Sequence, residues 1–176
     1  ASRGEPGTGL PDAAVLTEIA TQFRRAYDQR HAGFGGAPKF PRPSELLFLL
    51  REHARTGNQD ARDMVLATLR AMALGGMRDH IGGGFHRYSV DAGWRVPHFE
   101  KMLYDQAQLV LAYIEGAQVS GDVSYLEIAE DTLRYVMREM TDGMKQAIGV
   151  RTLAFSENGF RNITNNVREI RGPNDM

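Results

Sequence analysis

A helical apolar period, interrupted by two kinds of connection, constrains this chain more than any other feature. Between Leu10 and Thr141, apolar residues recur at spacings of three and four, which gathers them on one side of a helix. Val15, Ile19, Phe23, Ala26 and Tyr27 form the first stripe, opened by Leu10-Pro11-Asp12, with proline in the first turn where its missing N–H costs nothing. The spacing predicts a helix ending near His31. Further helices are predicted over 44–55 (Leu46, Leu47, Leu49, Leu50) and 59–74 (Val65, Leu66, Leu69, Met72, Ala73). Two more are predicted over 101–119, burying Leu103, Ala107, Val110, Leu111 and Ile114, and over 123–140 (Leu126, Ala129, Leu133, Val136, Met137, Met140). Thr56-Gly57-Asn58 and Ser120-Gly121-Asp122 are turns short enough to force antiparallel neighbours.

The other connections are long, glycine-rich and aromatic. Gly33-Phe34-Gly35-Gly36 and Gly83-Gly84-Phe85 each follow a helix and open a basic, aromatic loop. Hairpins repeated in this way cannot each bury a face alone; they stack into bundles, solenoids or closed toroids, with the long loops on one side. No alternating run of useful length precedes Thr141, so 85–89 and 94–96 are expected to form no more than a short hairpin. The expected class is all-α: antiparallel helical hairpins with long Gly/aromatic loops on one face.

Composition narrows the function. The 176 residues are 42% hydrophobic and 24% charged, ordinary values for one domain with its own core. A net charge of -1 provides no global field for nucleic acid or a membrane surface, and neither is an expected partner. The absence of cysteine excludes a disulfide framework, a thiolate nucleophile and a Cys-ligated metal within this chain, and fits a reducing, cytoplasmic location. No apolar run is long enough to span a bilayer. The chain begins with Ala1 rather than Met and is expected to be a piece of a longer protein. Residues 1–9 read as a linker and 10–141 as the helical domain. Residues 142–176, with a chance-level acceptor triplet Asn162-Ile163-Thr164, read as an atypical, disordered tail.

The stretch 82–105 concentrates four glycines, His86 and His98, Arg87 and Arg95, the chain's only tryptophan (Trp94) and the carboxylates Asp91, Glu100 and Asp105. A long loop so rich in titratable and aromatic groups is where function is expected. Together with Gly33-Phe34-Gly35-Gly36-Ala37-Pro38-Lys39-Phe40-Pro41, it resembles the YyaL-like, thioredoxin-domain-containing proteins, a family with spermatogenesis-associated members. The resemblance covers about 15–141. It implies an (α/α)6 toroid similar to those of N-acylglucosamine 2-epimerase and the six-hairpin glycosidases, preceded by a thioredoxin-like domain. That domain is not in this chain, so it is expected as a partner, and no redox activity is assigned here. After Thr141 the pattern departs from the family at Asp142-Gly143-Met144-Lys145, so this chain is expected to hold only part of the toroid. The fold-level likeness suggests carbohydrate chemistry by analogy alone.

The residues admit several chemistries, each beside a plainer use. His86 and His98 are candidate proton carriers, since imidazole titrates near neutrality; equally, they can pin the loop by hydrogen bonds. In an extended segment His98 and Glu100 face the same side. Glu100 and Asp105 are candidates for the paired carboxyls of a glycosidase, or they stabilise a helix N-terminus. Phe85, Tyr88, Trp94 and Tyr104, with Lys39, Arg87 and Lys101, are candidate substrate-binding residues for a sugar or small molecule. The alternative is that Phe85, Phe99 and Trp94 cap the core while Arg87 and Lys101 pair with Asp91 and Glu100. Arg87 or Lys101 would steady an anionic intermediate in an isomerase mechanism. Gly82-Gly83-Gly84 lacks the preceding strand and the Gly-Lys-Ser/Thr ending of a phosphate loop, and no His-Glu-x-x-His helix suggests a metal; neither a metal nor a cofactor is expected. Two functions from different classes follow: a carbohydrate-active domain related to sugar epimerases or glycosidases, or a non-catalytic scaffold serving the thioredoxin-like domain.

Overall fold

The computed structural model describes residues 13–141; the linker read at 1–9 and the tail read at 142–176 lie outside them. Among the described residues the helices are α1 Ala13–Ala26, α2 Pro43–Thr56, α3 Gln59–Leu74, α4 Leu103–Ser120 and α5 Val123–Tyr135. A π-helical turn, Val136–Met140, continues α5. Only isolated bridges, and no strand, occur among these residues, so the fold is all-α. None of these helices is long and apolar enough to cross a membrane.

The short turns explain the hairpins. Gly57 and Gly121 adopt φ of 74° and 72°, left-handed backbone that glycine reaches without a Cβ clash, and their amides close onto His53 and Ala117 carbonyls. The next residue then caps the following helix: Asn58 accepts from the Ala61 amide, and Asp122 from the Ser124 amide. Helix α2 packs on α3 and α4, α4 packs on α5, and α3 touches α1, α4 and α5.

Leu46 and Leu49 of α2, Val65, Leu69 and Met72 of α3, and Leu109 and Tyr113 of α4 are fully buried where these three helices pack together. The buried Tyr113 hydroxyl donates to the Leu69 carbonyl at 2.8 Å, and Tyr125 does the same to Leu66 at 3.0 Å, so both phenols bring their ring area into the core without leaving a polar atom unpaired.

Three expectations need correction. Helix α1 stops at Ala26, short of His31, because the Asp28 carboxylate accepts the Arg30 and His31 amides and turns the chain. Helix α5 is α-helical only to Tyr135. In α4 the buried face carries Leu109, Val110, Ala112, Tyr113, Gly116 and Ala117, whereas Leu103, Ala107 and Leu111 are exposed. Helix α4 is apolar on most sides, so its period does not decide which side faces inward. Close approach does: a Cβ on Gly116 would stand 2.8 Å from Leu69 Cδ1 of α3.

Candidate functional site at the paired loops

The two long loops, 27–42 and 75–102, are joined to each other. Lys39 and Ser89 exchange both backbone hydrogen bonds at 2.8 Å. On its other side Ser89 faces Pro97, flanked by Val90 N–H to Val96 carbonyl at 2.8 Å and His98 N–H to Tyr88 carbonyl at 2.9 Å. Pro97 thus occupies a position that asks for no N–H. The short hairpin is real but pairs along 87–90 and 96–100. Asp91 closes its turn by accepting from the Val96 amide at 2.6 Å and the Gly93 amide at 2.6 Å. Burial works against the charge of this carboxylate, but the amides of Val96, Gly93 and Arg95 outweigh it and hold the group below its usual range.

Three of the sequence-predicted binding residues lie in the core beneath this surface. Trp94 is 1% exposed; its indole N–H donates to the His31 and Ala32 carbonyls at 3.0 and 3.2 Å. Lys39 is fully buried, its ammonium 2.6 Å from Asp28, 2.9 Å from the Ala32 carbonyl and 5.4 Å from the Trp94 ring centre. Its hydrogen bond holds the Asp28 carboxyl far below the ordinary carboxylate range, against the effect of burial. Phe85 is fully buried and stacks on Tyr113, ring centres 5.3 Å apart.

The remaining candidates gather at the surface. Phe40, Tyr88 and His98 form a ladder of rings: Phe40 to Tyr88 4.7 Å, and Tyr88 to His98 4.6 Å with planes only 6° apart. The His98 Nε2 is 3.6 Å from Glu100 Oε2, and the same oxygen accepts from Arg87 at 3.0 Å. Tyr104 also interacts with the Arg87 guanidinium. Asp105 sits in the first turn of α4 with one buried oxygen, Oδ2, that has no hydrogen-bond partner. Burial raises its carboxyl above the usual range; the nearby Arg87 charge opposes this, and the Glu100 charge adds to it. His86, 8% exposed, also has an unpartnered nitrogen, Nδ1, and meets the Phe99 ring edge-on at 5.2 Å. Its burial, reinforced by the Lys101 charge and opposed by that of Asp79, lowers its pKa.

Lys101 pairs with Asp79 at 2.8 Å rather than with Asp91 or Glu100, donates to the Gly83 carbonyl at 2.7 Å, and stands 4.3 Å from the Tyr135 ring centre. That bond, first, and the Gly82 amide hold the Asp79 carboxyl far below its usual range. Phe99 does not cap the core; it is 83% exposed. Glu100 does not cap α4 either, whose N-cap is Met102 with no side-chain bond.

Sequence reasoning passed over Phe40, Asp79 and Gln106. Phe40 lies in the first glycine loop, and only the pairing of the loops brings it to Tyr88. Asp79 had a legible signal, an acidic residue two and three positions before the amides of Ile81 and Gly82 that it accepts. Cavities of about 300 Å³ between α3 and α5 and about 390 Å³ beside Tyr27 and α3 are lined by neither the ring ladder nor Asp105. Among the described residues no three His, Asp or Glu side chains converge as metal ligands.

No protein-family model matches the chain. It is 48% identical over 133 residues to spermatogenesis-associated protein 20 of Homo sapiens, a match covering 73% of the chain and 17% of that relative. The Rattus norvegicus protein of the same name is 46% identical over 136 residues, covering 74% of the chain and 17% of the relative. An uncharacterized Caenorhabditis elegans protein is 39% identical over 136 residues, covering 75% of the chain and 18% of the relative. The chain is therefore homologous to a segment of spermatogenesis-associated protein 20 and spans about 17% of that much longer protein.

Proposed function

We propose that residues 13–141 are a sector of an (α/α)6 toroid of the YyaL-like type and that the paired loops form the acid–base site of a carbohydrate-active domain. The two helical hairpins α2–α3 and α4–α5, packed on one another through α2–α4 and α3–α4 contacts, support the toroid. The observation that carries the chemistry is the contrast between two acids held close together. Asp105 is partly buried, lacks a partner at Oδ2 and is raised in pKa, while Glu100 is ion-paired with Arg87 at 3.0 Å. A carboxyl that burial raises in this way is suited to donating a proton. In this reading Asp105 keeps its proton longer and gives it to a leaving or carbonyl oxygen. Glu100, held by Arg87, orients His98, which accepts a proton from water or from a sugar carbon. The ring ladder beside them offers apolar faces to the substrate. Lys39, Phe85 and Trp94 then act by holding the surface from below. Arg87 and Lys101 are engaged with Glu100 and Asp79 and do not serve as free cations.

The test is turnover of simple sugars and aryl glycosides, followed by proton NMR, with the 176-residue chain and with the longer protein in parallel. Product formation that disappears in Asp105→Asn and Glu100→Gln, with circular dichroism unchanged, supports the reading. Product formation indifferent to both substitutions, or no product and no sugar-dependent change at the loops in either protein, overturns it.

A second reading, docking of a thioredoxin-like domain, draws on the exposure of Ile81 and Phe99, 101% and 83% respectively, near the same loops. Large apolar side chains this open are characteristic of contact surfaces. Ile81→Ser and Phe99→Ser would then abolish docking, and His98→Gln would leave it intact.

A further inference from the structure

We infer that the groove between α3 and α5 is a second binding site, separate from the paired loops, for an organic carboxylate with an apolar body. The groove measures about 300 Å³, at the small end of the cavities that hold small organic ligands. Arg70, Ala73 and Leu74 stand at i, i+3 and i+4 on α3, and Ser124, Glu127 and Ile128 repeat that spacing on α5, so each helix turns one face to the groove. Tyr125 also lines it from α5, its hydroxyl already donating to the Leu66 carbonyl at 3.0 Å. Leu74 is 71% exposed, an aliphatic side chain that a ligand in the groove would cover.

Two guanidinium groups meet this apolar wall. Arg78 reaches it from the loop after α3, where the Met77 carbonyl and the Asp79 amide on either side are bonded to His86 and Gly84 at 2.8 and 2.9 Å. Its Nη2 donates to Asp131 of α5 at 3.0 Å, which fixes the guanidinium, and its buried Nε has no hydrogen-bond partner. Arg70 is exposed and forms neither a hydrogen bond nor an ion pair among the described residues; its charge acts on Asp122 and Tyr125 from a distance. Asp131 offsets the Arg78 charge, so the net attraction comes from Arg70, opposed by Glu127, the one carboxylate of the lining. A carboxylate is planar and offers two acceptor oxygens, the shape a guanidinium binds. Because Arg78 is already held, it loses little freedom when the ligand arrives. A short aliphatic tail then lies on Ala73, Leu74 and Ile128, and each methylene it buries strengthens binding about fourfold. Inorganic phosphate would gain the charge contact without the apolar one.

Nitrogen-15 NMR titration of the full chain with hexanoate, hexanamide, acetate and inorganic phosphate at neutral pH tests the site. Hexanoate should give saturable shifts at 70–78 and 124–128, including the Arg78 Nε–H signal. Hexanamide keeps the tail and loses the charge, and should bind about tenfold more weakly. Acetate keeps the charge and loses the tail, and should also bind at least about tenfold more weakly, as should phosphate. Arg70→Gln should weaken hexanoate severalfold, and Glu127→Gln should strengthen it; both residues are exposed, and circular dichroism should be unchanged in either variant. Hexanamide, acetate or phosphate binding as tightly as hexanoate overturns the inference, as does hexanoate binding indifferent to Arg70→Gln, or no shift at these residues. Each of those results leaves the carbohydrate reading standing, since its residues lie outside the groove.

Discussion

Gln106 of α4 and Phe85 of the glycine loop are joined twice: the Phe85 amide donates to Gln106 Oε1 at 2.8 Å, and Gln106 Nε2 donates to the Phe85 carbonyl at 2.7 Å. Both residues are fully buried. The pair ties the loop that bears His86 and Arg87 to the helix that bears Asp105. Gln106→Leu keeps the volume and leaves a buried N–H and a buried carbonyl unpaired, at a cost of about 3 kcal/mol. Urea denaturation measures it, and a loss below about 1 kcal/mol would remove the clasp from the account.

Gly33 binds the first loop to the core at a position with no room for a side chain. Its φ is +85°, and an added Cβ would stand 2.5 Å from the Trp94 ring. Gly33→Ala combines left-handed strain with overpacking and is expected to cost about 2–4 kcal/mol and to shift the emission of the only tryptophan. Fluorescence-monitored unfolding reads both effects in one experiment. An unshifted spectrum with wild-type stability would contradict the packing.

Acid should weaken the fold through Asp28 and Asp79. Hydrogen bonds from Lys39 and Lys101 depress the two carboxyls in the folded chain. A depressed acid contributes stability above its unfolded pKa of about 3.9, and that contribution drains away as pH falls through the folded value. Stability is therefore expected to decline below about pH 4. Asp28→Asn should remove part of that decline and, at neutral pH, cost about 3–5 kcal/mol, because it strands the buried Lys39 ammonium. Lys39→Met in the same background should recover much of the loss.

Asp105 has the opposite sign. Its carboxyl is raised in the folded chain, so folding is opposed once pH climbs above the unfolded value and the group must ionise in place. Asp105→Asn is accordingly expected to be neutral or mildly stabilising in urea at pH 7, while sugar turnover is lost. Marked destabilisation by this substitution would instead make Asp105 a structural residue.

The sequence displays the helices more plainly than the site. Helix α3 falls where its Val65–Leu69–Met72 stripe predicts, and the Gly57-Asn58 and Gly121-Asp122 pairs announce both a stop and a cap. Where the apolar pattern runs nearly all round, as in α4, the period loses its direction and the buried side goes unread. The site is harder because its residues are sorted by depth. Trp94 and Lys39 look like ligand-binding types in one dimension and are core in three, since Gly33 and Asp28, more than ten positions away from Trp94 in the chain, close over them. Phe40 joins Tyr88 only through the Lys39–Ser89 pairing, a contact between distant segments that local spacing does not encode.

The most direct test of the acid–base reading is the titration of Asp105 itself, followed by carbon-13 carboxyl NMR in the full chain. The account predicts a midpoint above the ordinary aspartate value of about 3.9, and a further rise in Arg87→Gln, which removes the charge that restrains it. A midpoint at or below the ordinary value would mean that Asp105 is ionised like any surface acid, and the site would lose its proton donor.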